Sequence, residues 1–521
     1  MALRAQEAAG RGRAPVIQAV EIRRNDVFDS TEATGWLTRL ANKLHITTRE
    51  GVVRRELLLQ PGEVWDSARA AETARNLRSL GVFRKVDVDS VRTDSGLVMR
   101  VVTRDGWSTR PDLRFRSTGG EVEYTVAFIE DNLLGTASQA SVKYRKDVDR
   151  STVEFGFRQP RFISRTVLLD LKYEDRSDGR RFNGILGRPF YDLASPFSLG
   201  FRVENRSERV LRFFGGEREA SDSLQRRYVL ARTDGGFALL AGAEGYLRLG
   251  VTAQVRRDNF VPESFQGAIP DSVTAAVGPW LEWRRARFVL TSGFEGFGRE
   301  EDVDVSTTVR VGAFLAPKAF GYERDGIGPY LVAHTGESFG RGFVYLDLIA
   351  NGLYSRAGLD SGSVLLGGTV VLRPSRRHSV LIHGDGGWLK APLPGEEFDL
   401  GTGTGPRAFR SHAFTGDRTF FSTAEYRYTL TDELWKVVGV GLAGFVDYGG
   451  AWYRGNPRRT GWDAGVGLRL GPSRASGVEA IRVDLVRRFA TDVERAGWVL
   501  VIGKGLTFST RFGQQRAQTG L

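Results

Sequence analysis

The sequence predicts an all-β barrel of about sixteen antiparallel strands that crosses a membrane, preceded by a small α+β domain. Three observations carry that prediction. Glycine supplies 64 of the 521 residues, well above the roughly 7% of ordinary usage, which points to many turns and to strands whose backbones approach closely. Beyond residue 105, segments of about ten residues alternate apolar with polar side chains. Their polar sides carry ionised Arg, Lys, Asp and Glu, which a dry core does not tolerate and a wet lumen does.

The small domain comes first. Residues 16–24 alternate as a strand, and residues 36–44 place Trp36, Leu37, Leu40 and Leu44 on one helical face. A second helix is predicted over residues 66–80, with Ala70, Ala74, Leu77 and Leu80 spaced by three and four, Asp66 as its N-cap and Gly81 as its stop. Strands follow at 82–91 and 97–102, separated by the turn residues Thr93, Asp94, Ser95 and Gly96. The order strand, helix, helix, strand, strand defines a module over residues 16–104. Residues 1–15 before it read as a flexible, basic, Ala-rich start without the apolar centre of a secretory signal.

The barrel is assigned to residues 105–512 and a tail to 513–521. In residues 151–159, Val153, Phe155 and Phe157 oppose Glu154 and Arg158; in 165–175, Val167, Leu169, Leu171 and Tyr173 oppose Asp170 and Lys172. Residues 481–489 repeat the theme, with Arg487 interrupting the apolar side. Period alone also fits a soluble sandwich. The length of this part and its charged inner faces favour a barrel, whose polar or Gly-rich loops are predicted at 176–184, 214–225, 256–272 and 392–406. Aromatic residues near segment ends, such as Trp280, Trp283, Phe420, Phe421, Trp452 and Tyr453, suit the rings of side chains at a membrane boundary.

Composition excludes several classes. With no Cys there is no disulfide scaffold, thiolate metal site or cysteine nucleophile. The formal charge of +12 is spread along the chain rather than gathered on one face, which argues against nucleic acid. The histidines His45, His334, His378, His383 and His412 do not fall at metal-ligand spacing, so no metal or cofactor is expected. The GTGTG run at 401–405 lacks the Lys-Ser/Thr ending of a phosphate loop. The GESFG match at 336–340 would make Ser338 a nucleophile only if a helix followed, yet residues 343–348 alternate like a strand. Glu300 and Glu301 read as loop solvation, and no enzyme is expected.

Several segments carry a resemblance to a known family. VRRELLL (53–59), Gly62 and NLRSLGVFRKV (76–86) resemble a polypeptide-transport-associated (POTRA) domain. GPRAFRSHAFTGDRTFFSTAEYR (405–427), FVDYGGAW (445–452), GVGLRL (465–470) and IRVDL (481–485) resemble the barrel of the BamA/TamA-like outer-membrane assembly superfamily, also called bacterial surface antigen proteins. The resemblance implies a loop folded into the lumen and braced by an arginine. Arg407 takes the arginine place and Phe409 the aromatic place, Ala408 stands where the family usually has Gly, and Glu425 and Asp447 match the acidic partners. It also implies a closing strand within 498–512 that ends on Phe508 or Phe512. Gly503 and Gly505 interrupt the packing of that strand, so a weak seam to the first strand is expected.

The implied function is insertion or translocation of other polypeptides at the bacterial outer membrane, with the POTRA domain in the periplasm capturing clients by strand addition. The implied partners are outer-membrane lipid, unfolded or extended client polypeptides and, beside these, periplasmic or lipoprotein accessory subunits. One POTRA is fewer than the best-known assembly factors carry, which points to a smaller relative. A passive porin or transporter and a dedicated partner-docking or secretion barrel are the alternatives.

Overall fold

A computed structural model of the chain describes residues 15–28, 35–118, 121–164, 166–264, 269, 271–297, 300–401, 403–474 and 479–506. The chain forms two compact units. One comprises residues 1–109 with 130–138 and 474–477, and the other comprises 110–129, 139–473 and 478–521.

The first unit is α+β. Strand β1 (Ile17–Asn25) is followed by helices α1 (Trp36–Leu44), α2 (Glu50–Arg55) and α3 (Ser67–Ser79), then by β2 (Phe83–Thr93) and β3 (Gly96–Asp105). The sheet order is β1-β3-β2, with β1 parallel and β2 antiparallel to β3. Helix α3 starts where Asp66 accepts from the backbone N–H groups of Ala68 and Arg69 at 2.8 and 3.1 Å. It ends at Gly81, whose φ of 75° lets the chain leave in the left-handed region. Ala70, Ala74 and Leu77 pack with Val53, Leu57, Leu59, Met99 and Val101 in one buried core.

Two details differ from the sequence reading. Helix α2 was not expected, because its six residues are too short for a period to register. Helix α1 forms where expected, but Trp36 and Leu40 of its predicted apolar face are exposed.

The second unit is one antiparallel sheet with a cyclic order of twenty strands among the described residues, from Thr109–Thr118 round to Gly497–Lys504. Among the described residues the last strand meets the first where Val501 lies opposite Arg116. Twenty strands correct the expected sixteen. Residues 179–184, expected in a loop, belong to the strand Gly179–Arg188, which a two-residue turn joins to Leu168–Arg176. Residues 256–262 likewise continue the strand Gly245–Pro262. The error has a physical cause: the inner faces of these strands are as charged and glycine-rich as loops, and polarity was read as irregularity. No helix among the described residues is long and apolar enough to cross a membrane.

Parity along the strands sorts the side chains. Phe155, Phe201, Phe237, Leu281, Leu366, Leu442, Val466 and Leu500 are exposed, whereas Glu174, Glu204, Arg226, Arg248, Asp258, Asp347, Asp447 and Asp484 are buried. This is the reverse of a water-soluble sheet, in which each exposed Leu or Phe would forgo about 1.5–3 kcal/mol of burial. The GESFG segment closes the strand Gly326–Phe339, and after a turn the chain continues as the strand Gly342–Ser355, not as a helix.

Glu300 and Glu301 begin the strand Glu300–Asp304, which pairs with Phe288–Ser292 in a separate hairpin. Glu301 is buried and accepts from the backbone N–H groups of Phe294 and Gly296 at 2.7 and 3.0 Å. Its role is therefore structural, not the loop solvation expected from the sequence.

Candidate functional site: an ionic brace inside the sheet

Residues 391–417 connect the strands His378–Lys390 and Arg418–Leu434 and enclose a short two-stranded ladder, Phe398–Leu400 with Phe414–Gly416. Arg407, Ala408 and Phe409 lie in this connection and are buried. Inward-facing residues of four consecutive strands receive them, because Glu425, Asp447, Asp463 and Asp484 all sit on the buried parity of their strands.

Arg407 donates through Nε to Asp447 Oδ2 at 2.6 Å and through Nη2 to Asp447 Oδ1 at 3.0 Å, a forked pair. Its Nη1 reaches Glu425 at 3.3 Å and Asp484 at 3.1 Å. The guanidinium lies 3.5 Å from the centre of the Phe445 ring, so one face rests on an aromatic while its edge serves three carboxylates. Thr423 donates to Asp447 at 2.6 Å.

The sequence reading brought together Arg407, Phe409, Glu425 and Asp447, and the structure places all four around one site. It missed the rest of the brace. Arg469 donates to Glu425 at 2.8 Å and to Asp484 at 2.5 Å, Arg427 donates to Glu425 at 2.6 Å, and Arg482 approaches Asp484 at 3.5 Å. The backbone N–H of Ala408 donates to Asp463 at 2.9 Å. Four arginines thus face four carboxylates, and a buried set of this kind is tolerable because the charges balance and most of its hydrogen bonds are met, Asp463 Oδ1 and Arg482 Nε being left unpaired. Arg469 and Asp484 lie within GVGLRL and IRVDL, and shared strand parity with the apolar-to-polar alternation was the signal that would have found them.

Ala408 has ordinary backbone angles, so the position does not require glycine. Phe409 is fully buried among Leu365, Phe398, Phe414, Phe421 and Ala451. Its ring lies over Gly461, where an added Cβ would meet Phe409 Cζ at 2.3 Å. A second arginine of the loop, Arg410, is buried as well; it donates to the carbonyl oxygen of Glu217 at 3.2 Å and pairs with Glu494 at 3.2 Å. Nothing in the sequence distinguished Arg410 from the chain's many other arginines.

The seam residues divide. Gly503 lies opposite Arg482 in the ladder, and a Cβ there would sit 2.8 Å from Arg482 Nη2, so its missing side chain makes room for the guanidinium. Gly505 adopts φ 67° just past the strand, and its N–H donates to Ala480 at 2.8 Å. Phe508 and Phe512 lie outside the described residues.

An apolar-outside, ionised-inside cyclic sheet with a loop pinned against its inner wall is a β-barrel of the bacterial outer-membrane type. No family model matches the chain. It is similar to the outer membrane protein assembly factor BamA of Neorickettsia risticii (strain Illinois), with 23% identity over 295 residues that cover 54% of this chain and 36% of that protein. The chain thus matches little more than a third of that relative's length. Among solved structures it is similar to CdiB from Escherichia coli, at 13% identity and a TM-score of 0.48 over 94% of this chain and 76% of that one. A BamA from Haemophilus ducreyi lacking POTRA domains 1–3 aligns at 12% identity and a TM-score of 0.39 over 93% and 84% of the two chains. The curated similarity supports the resemblance to the BamA/TamA-like outer-membrane assembly superfamily.

Proposed function

We propose that the chain is a closed transmembrane β-barrel with a periplasmic POTRA domain, and that it inserts or translocates other polypeptides at the outer membrane. The observation that carries the membrane reading is the inversion of the sheet's two faces. Exposed Phe, Leu and Val recur on the outward side of strand after strand, a surface that a soluble monomer does not leave bare, and hydrocarbon is the medium in which it is stable.

The polypeptide-handling reading rests on two edges. In the sheet order β1-β3-β2, strand β2 stands at an outer edge, so it can accept an extended client strand through backbone hydrogen bonds that ask little of the client's sequence. At the barrel seam, the described residues of the last and first strands share one ladder pair and the ion pair of Lys504 with Asp112 at 3.3 Å, whereas Ile481–Arg488 pairs with Gly497–Lys504 along its whole length. A seam with so short a ladder among its described residues can part sideways and offer strand edges to a client. The Arg407 brace holds the loop inside while the seam works.

Reconstitution tests this. In liposomes with the full chain, an unfolded client barrel gains its folded, protease-resistant form faster than in empty liposomes. A disulfide between V501C and R116C, in a chain that otherwise has no cysteine, stops the gain, and reductant restores it. Large, steady conductance without client insertion supports the porin alternative instead.

A further inference from the structure

The hairpin Phe288–Ser292 with Glu300–Asp304 takes no part in the barrel ladder. It leaves between the strands Ser272–Arg285 and Thr307–Ala316, and it packs on the inner wall. Phe294, Val303 and Val305 bury against Phe343, Tyr345, Val371 and Leu381, which share the buried parity of Asp347 and His383. The Phe294 and Phe343 rings meet edge to face at 5.3 Å.

The hairpin reaches much further than its neighbours. Phe297 lies over Gly439 and Gly471, where an added Cβ would come within 2.2 and 2.9 Å of its ring. Those glycines sit on strands six and seven places further round the sheet than Thr307–Ala316. Ala480 donates its N–H to the Glu295 carbonyl at 2.9 Å. An element anchored at one point of the ring that touches each successive strand out to the seventh lines a continuous stretch of the inner wall and narrows the hollow at that end. Beside Phe294 and Phe297 is a cavity of about 440 Å³ lined by Arg373, Arg427, Asp432 and Arg469, so the hairpin is packed on one side and faces a polar cavity on the other.

Its position relative to the loop follows from topology. Strand direction alternates, the hairpin follows the tenth strand and the 391–417 loop the fifteenth, so the two enter from opposite ends. They meet at Arg427, whose Nε donates to Glu425 at 2.6 Å and whose Nη1 donates to the Phe294 carbonyl at 2.8 Å. Glu425 is also a partner of Arg407.

We propose that this hairpin is a second plug, closing the barrel at the end opposite the loop, and that Arg427 ties it to the carboxylate that holds the loop so that both yield together. The inference rests on the membrane-barrel reading. Apolar residues that cover an apolar patch inside a charged lumen keep that patch from water, and the shared carboxylate makes release of one element weaken the seat of the other.

Single-channel recording of the full chain in planar bilayers tests it, with heat-modified gel mobility as the check of folding. Wild type stays mostly closed. F294G/F297G, which unseats the hairpin tip, and R427M each raise open probability about tenfold, and joining F294G/F297G to R407Q gives far less than the product of the separate effects. Folded F294G/F297G as closed as wild type overturns the plug. A simple product for the combined variant overturns the coupling. Wild type that neither inserts nor shows heat-modified mobility overturns the membrane reading, and the plug with it.

Discussion

Arg407 and Asp447 face each other as a forked pair at 2.6 and 3.0 Å, both withdrawn from solvent, with the loop on one side of the bond and the barrel wall on the other. Such a pair is worth little compared with a well-packed apolar replacement, but losing one partner is costly because the other stays buried and charged. The pair therefore acts as a position lock.

Replacing Arg407 with Gln leaves Asp447, Glu425 and Asp484 short of one cation. The expected loss is about 3–5 kcal/mol, read as a fall in the temperature at which the detergent-solubilised barrel loses its compact gel mobility. R407E falls further, by adding a fifth carboxylate. An unchanged midpoint for both variants removes the brace from the account.

Gly461 offers a gentler probe of the same loop. A side chain there collides with the Phe409 ring, so G461V displaces the ring from its pocket and costs about 1–3 kcal/mol by overpacking. Limited proteolysis within 391–417 is expected to speed up in G461V, and F409A, which empties the pocket instead, is expected to do the same. If G461V resists protease as wild type does, the Phe409 anchor does not hold the loop.

His412 makes the loop sensitive to pH. Its Nδ1 lies 2.5 Å from Asp399 and its Nε2 3.2 Å from Asp149, and the ring stacks on Phe213 at 3.8 Å. Burial alone lowers the imidazole's pKa, but hydrogen bonds and charge from Asp149 and Asp399 outweigh it and push the value up to about 10. The folded value lies above the ordinary one of about 6.5, so the protonated form stabilises the fold fully below that pH and the contribution fades as pH rises towards 10. Urea midpoints of wild type and H412N are expected to converge between pH 7 and 10, with H412N lower at pH 6. A constant gap across that range contradicts the role given to His412.

Much of this was legible in the chain. Period-two alternation with Arg and Glu opposite Phe and Leu specified a sheet with inverted faces, because each strand carries that information locally. The small domain was legible for the same reason: Asp66, Ala70, Ala74, Leu77 and Gly81 are neighbours in sequence. The brace residues Arg407, Glu425 and Asp447 came from resemblance, and their partners Asp463, Arg469 and Asp484 did not, since no local rule says which of many inward charges a loop will meet.

The sequence by itself determined which side of each strand is apolar and which is charged, since alternate residues point to opposite faces whatever the strand's neighbours are. Only the tertiary structure decided that twenty strands of the described residues follow one another in a cyclic order, that Glu301 accepts from the backbone of Phe294 and Gly296, and that Arg427 stands between their hairpin and Glu425. Those outcomes depend on which strands become neighbours round the sheet and on distances across its hollow, and residues far apart in the chain acquire such distances only when the ring is complete.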